Sequence, residues 1–91
     1  MTDIDILHPS AHSSEQNRLA VELIAEKLRD QLGLQTEWQG DVLNFQRSGV
    51  DGHITVAPGH VQVSANLGFP FSAMRGMVEA EIRRVLADKL G

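Results

Sequence analysis

Residues 34–67 read LQTEWQGDVLNFQRSGVDGHITVAPGHVQVSANL, and this stretch decides the fold. Apolar and polar residues alternate along it with period 2, the pattern of strands with one buried face. Gly40-Asp41 puts glycine at the first central position, as a type II′ hairpin turn requires, and Pro58-Gly59 matches the central pair of a type II turn. Between them either Ser48-Gly49 or Asp51-Gly52 turns the chain, and both choices keep the same parity. Pairing across the turns sets Trp38 opposite Leu43, Thr36 opposite Phe45, Val56 opposite Val61 and Ile54 opposite Val63. One face of this meander carries Leu34, Thr36, Trp38, Leu43, Phe45, Arg47, Ile54, Val56, Val61, Val63, Ala65 and Leu67. The other carries Gln35, Glu37, Gln39, Asn44, Gln46, His53, Thr55, Gln62, Ser64 and Asn66, with Val42 its one large aliphatic. A four-stranded antiparallel sheet that is apolar on one side must be covered on that side only, and the cover must be helical.

The flanks supply it. Ser13-Ser14-Glu15-Gln16 offers a capping box, followed by Leu19, Ala20, Leu23, Ile24, Leu28 and Leu32 at helical spacing and by Gly33 as a stop. This predicts a helix over 14–32 whose outer face, with Glu15, Arg18, Glu22, Glu26, Arg29 and Asp30, is solvated. After Phe69-Pro70-Phe71, Ser72 is the expected N-cap of a second helix that presents Met74, Val78, Ile82, Val85 and Leu86 on one stripe, with Leu90 close to it. Glu79 and Arg83 form a favourable i,i+4 pair, and Gly76 is expected to permit a close approach. At the start, Ile4, Ile6 and His8 alternate with Asp3, Asp5 and Leu7 until Pro9 and Ser10 end a short strand. That strand lies antiparallel beside the last, giving sheet order 1-5-4-3-2, or parallel beside the second; the first arrangement is preferred because the first helix then crosses the apolar face to join the two sheet edges. The expectation is one α+β domain over residues 1–91: a two-layer β-α-β-β-β-β-α chain, with an antiparallel sheet of four to five strands and two helices packed on one face. It resembles a shortened helix-grip arrangement.

Composition narrows the function. The 91 residues include 8 Lys and Arg against 12 Asp and Glu, a net charge of −4 that disfavours nucleic-acid binding. No cysteine is present, which removes disulfides, thiolate metal sites and thiol catalysis. No apolar run reaches the roughly 18 residues of a membrane span, and the start lacks a signal-peptide pattern, so a cytoplasmic protein is expected. His8 and His12 are separated by Pro9, while His53 and His60 fall on the polar sheet face, and no metal site is assigned. The chain has no Gly-x-Ser-x-Gly elbow, its aspartates sit at a strand start or in turns, and its glycines, Gly52 included, have hairpin explanations. No catalytic set and no cofactor site follows, and the chain is expected not to be an enzyme. Arg47, on the apolar face near a sheet end, reads most simply as a buried stem with its charge in water, and in a functional reading as an anchor for an acidic ligand or a hydroxyacid carboxylate. Trp38 reads as core, or with Phe45 and Arg47 as the lining of a pocket. Phe69, Phe71, Met74 and Met77 either plug the end of the core or form a surface for an apolar partner. A homo-oligomer is a further expectation, without a located interface.

Trp38-Gln39-Gly40-Asp41 with Leu43 and Phe45, then Arg47-Ser48-Gly49-Val50 and Gly52-His53-Ile54-Thr55-Val56, then Val61-Gln62-Val63 leading to Leu67-Gly68-Phe69, and finally Ile82-Arg83-Arg84-Val85-Leu86 occur in order. Over nearly the whole chain this pattern resembles the polyhydroxyalkanoic acid system proteins, also described as polyhydroxyalkanoate granule-region proteins. That family often carries His followed by Leu-Gly before its first helix; His8-Pro9-Ser10 and His12-Ser13 depart from this, and no role is assigned to either histidine. The resemblance implies a small bacterial accessory protein of storage-polyester metabolism, in contact with the granule surface or granule-associated proteins. The rival expectation is a small-molecule binder holding an apolar or hydroxyacyl ligand between the C-terminal helix and the sheet.

Overall fold

The computed structural model describes residues 3–69 and 71–90. The elements run β1 (Ile4–Pro9), α1 (Ser14–Leu32), β2 (Gln35–Gln39), β3 (Val42–Arg47), β4 (Val50–Ala57), β5 (His60–Leu67), a 3₁₀ turn (Phe71–Met74) and α2 (Arg75–Leu90). The architecture is α+β, with five strands in one antiparallel sheet of order β1-β5-β4-β3-β2. The expected register holds at all four pairs, Trp38 with Leu43, Thr36 with Phe45, Ile54 with Val63 and Val56 with Val61. The open choice in the middle is settled by Arg47 pairing with Val50, so Ser48-Gly49 turns the chain, with Gly49 at φ 90°. Positive φ falls on Gly40 but on no non-glycine residue among those described, so Asp41 stays negative, as type II′ geometry demands.

Gly52 is therefore a strand residue and not a turn residue. It faces Phe45 across the β3–β4 pair and Ala65 across the β4–β5 pair. A Cβ built on it would lie 2.7 Å from Phe45 Cζ and 2.5 Å from the Ser64 carbonyl oxygen. The missing side chain is the space that the phenyl ring occupies.

Helix α1 starts where its cap says it must. Ser13 Oγ accepts the Gln16 N–H, and Gly33, at φ 68°, donates its N–H to the Arg29 carbonyl in the left-handed conformation that closes a helix. The reciprocal half of the capping box is not made, because Gln16 Oε1 lies 2.8 Å from His12 Nδ1 instead. Both helices share the apolar face of the sheet, α1 against β4 and β2 and α2 against β1. The core between the layers centres on Ile4, Ile6, Ile24, Leu28, Leu43, Ile54, Val61, Val63, Ile82 and Leu86, all nearly or wholly shielded from water.

Four local expectations are corrected. Leu19 is 66% exposed, while Asn17, Val21 and Ala25 join the buried face. The physical reason is the helical repeat: Leu19 and Leu28 are nine residues, or about two and a half turns, apart and so point in opposite directions. The Arg18, Glu22 and Arg29 side of α1 is not simply solvated, since it grips β2. Arg18 stacks 3.9 Å from the Trp38 ring centroid and donates to the Gly40 carbonyl, Trp38 Nε1 donates to Glu22, and Arg29 donates to Thr36 Oγ1. Ser72 is not an N-cap but lies inside the 3₁₀ turn, where its N–H donates to the Gly68 carbonyl. Around Gly76, a built Cβ meets nothing within 4 Å, so this glycine permits no close packing. No helix among the described residues is long and apolar enough to cross a membrane.

Candidate functional site

At one end of the molecule the β3–β4 turn, the end of β5 and the approach to α2 meet. The Gly68 N–H donates to the Gly49 carbonyl at 2.6 Å, and the two glycines bring the backbones together without side chains between them. A Cβ on Gly49 would lie 3.3 Å from Phe71 Cδ2 and 3.4 Å from the Phe69 carbonyl oxygen, so the turn is also packed against this segment. Phe71 is half-buried, with the Arg47 guanidinium 4.9 Å from its ring centroid, and Met74 is half-buried against the core. Phe69 projects fully, 91% exposed, and Met77 is 53% exposed on α2. Two of the four expected surface residues thus anchor the end of the core, and two reach solvent.

Trp38, Phe45 and Arg47 are not gathered around one cavity. Trp38 is half-buried on edge strand β2, under Arg18. Phe45 is 3% exposed within the core. Arg47 lies at the far end of β3, where its guanidinium donates to the Leu32 carbonyl, one of the unpaired carbonyls that end α1. Its positive charge at the negative end of the helix dipole is favourable, and a guanidinium nitrogen lies 3.2 Å from where a Cβ on Gly33 would stand.

A cleft of about 900 Å³ opens at this same end between Gly33, Arg47, the Ser48-Gly49 turn, Asp51, Asn66 and Asp3. Asp3 is committed to the fold: its Oδ2 accepts the Leu67 N–H at 2.8 Å. The cleft continues onto the uncovered face of the sheet, where Gln35, Gln46, Asp51 and Asn66 form one cross-strand row. Amides and carboxylates dominate there, and no lysine lines it.

A second concavity, absent from the expectations, lies between α1 and α2. It comprises a hollow of about 390 Å³ lined by His12, Gln16, Leu19, Ala20, Leu23 and Lys89, and an adjoining one of about 270 Å³ that shares Leu23 and Lys89. The signal in the sequence was Leu19, which falls outside the arc that Val21, Ile24 and Leu28 define. Nearby, Glu81 joins the helices through Lys27 at 3.4 Å and pairs within α2 with Arg84 at 2.6 Å. The hydrogen bond from Arg84 holds the Glu81 carboxyl below its ordinary range, with Lys27 acting in the same direction and burial opposing both.

The model of one protein family, described as "Putative polyhydroxyalkanoic acid system protein", matches residues 4–90. The chain belongs to this family. No curated protein and no solved structure matches it. In this family member the stretches that carried the resemblance are architectural: Trp38-Gln39-Gly40-Asp41 is the β2–β3 turn, Arg47-Ser48-Gly49-Val50 the β3–β4 turn, and Gly52 the space for Phe45. Leu67-Gly68-Phe69 differs, since it ends in the most exposed large apolar residue of the described chain.

Proposed function

We propose that this polyhydroxyalkanoic acid system protein is a non-enzymatic accessory factor of storage-polyester metabolism that attaches to an apolar surface, the granule or a granule-bound partner, through the end bearing Phe69 and Met77. The observation that carries this reading is the placement of Phe69: it is 91% exposed, yet its neighbour Gly68 is bonded to Gly49, and Gly49 packs against the Phe69 carbonyl and Phe71. A backbone already fixed has little freedom left to lose on binding, and covering a Phe fully is worth about 1.5–3 kcal/mol. Support for a non-catalytic role comes from the large cleft, where Asp3 and Arg47 are both occupied in holding the backbone and Asp51 is the one further charged side chain.

The test is co-sedimentation of the purified chain with amorphous polyhydroxyalkanoate granules. The native chain is expected in the granule pellet, and a Phe69→Ser, Met77→Ser double variant in the supernatant with an unchanged circular dichroism spectrum. Equal partition of native and variant chains would overturn the reading.

A further inference from the structure

The groove between α1 and α2 stands apart from the aromatic end, because α1 and α2 run antiparallel and it adjoins the last turn of α2, whereas Phe69 precedes the first. Its walls and floor are Leu19, Ala20, Leu23 and Val85. Three cations, Lys27, Arg84 and Lys89, and one carboxylate, Asp88, border it in a chain of net charge −4. Lys27 and Arg84 are both engaged by Glu81. Lys89 makes no ion pair among the described residues and lines both hollows; it is the one charged side chain besides His12 in the hollow over Leu19, Ala20 and Leu23.

From this we infer that the groove is a binding site for an amphipathic monocarboxylate, a medium-length alkanoate or hydroxyalkanoate whose carboxylate pairs with Lys89 while its chain lies along Leu19 and Leu23. A single free positive charge matches a single carboxylate and not a polyanion, and the combined space falls in the range of small-ligand sites, about 300–1,000 Å³. The acids from which the family's polyester takes its name have this chemistry. The inference does not rest on granule attachment, which concerns other residues.

The experiment is a titration of the full chain with sodium octanoate followed by two-dimensional NMR, with 1-octanol as the uncharged control and the Lys89→Gln and Leu19→Gln variants alongside. Both substituted residues are exposed, so the fold is retained. Saturable shifts are expected at Leu19, Leu23, Val85 and Lys89, with a dissociation constant on the order of 1 mM for a ligand of this size. Each variant is expected to bind roughly 5-fold or more weakly, and octanol to bind more weakly than octanoate. Absence of saturation, equal binding of octanol, an unaffected Lys89→Gln variant, or shifts confined to the Phe69 end would each overturn the assignment. Granule co-sedimentation by Lys89→Gln is expected to match that of the native chain, so the two readings fail separately.

Discussion

Gly52 and Gly76 both sit inside regular elements, in opposite surroundings. At Gly52 a methyl group would press into Phe45 Cζ at 2.7 Å and the backbone of β5 at 2.5 Å, neither able to withdraw from a paired sheet. Gly52→Ala should therefore destabilise by about 1–3 kcal/mol or more through overpacking. At Gly76 nothing lies within 4 Å, and the residue is helical. Gly76→Ala should stabilise by about 0.5 kcal/mol by restricting the unfolded chain. Thermal denaturation of the two variants checks both signs at once, and partial rescue of Gly52→Ala by Phe45→Leu would identify the ring as the obstacle. Sequence alone assigned both glycines conventional roles, a turn and a close approach. It could not do better, because the space around a glycine is set by residues distant in the chain.

Among the elements, α1 is the piece with most of its determinants in view. Its start and stop are local, written in Ser13 and Gly33, and Ser13→Ala should lower stability by about 1 kcal/mol in urea unfolding. Which of its faces turn inward was less legible, since Leu19 and Leu23, one turn apart, widen the apolar arc beyond the buried residues. The α1–α2 seam carries a pH dependence. Arg84 and then Lys27 hold the folded-state Glu81 carboxyl below its ordinary value of 4.5. The unfolded chain then takes up a proton first as pH falls, so the stabilisation is present above the unfolded value and is lost as pH drops through the folded one. The stability difference between the native chain and Glu81→Gln should be largest near neutrality and should shrink below about pH 4.5, read as the urea midpoint of each across pH. A difference that stays constant with pH would mean that these ion pairs do not couple to folding.

For the whole molecule, the core and the exposed aromatic end should be separable. Phe45 is 3% exposed and Phe69 is 91% exposed. Phe45→Ala should cost about 3–5 kcal/mol, whereas Phe69→Ser should leave the melting temperature nearly unchanged while reducing granule co-sedimentation. A ligand space between the C-terminal helix and the sheet, one of the sequence expectations, is occupied by the core of Ile6, Ile54, Ile82 and Leu86, and the small-ligand inference moves outward to the groove between the helices. By itself the sequence determined the strand parity, two of the three hairpin turns, the bounds of the first helix and the one-sided sheet. Each of these depends on interactions a few residues apart, on period 2, on positive φ at glycine and on a capped helix end. The tertiary structure alone decided the Ser48-Gly49 turn, the clamp of α1 on Trp38, and the union of Arg47 with the end of α1 and with Phe71. Those depend on which surfaces meet across the fold, and packing between elements far apart in the chain leaves no fixed spacing in the sequence.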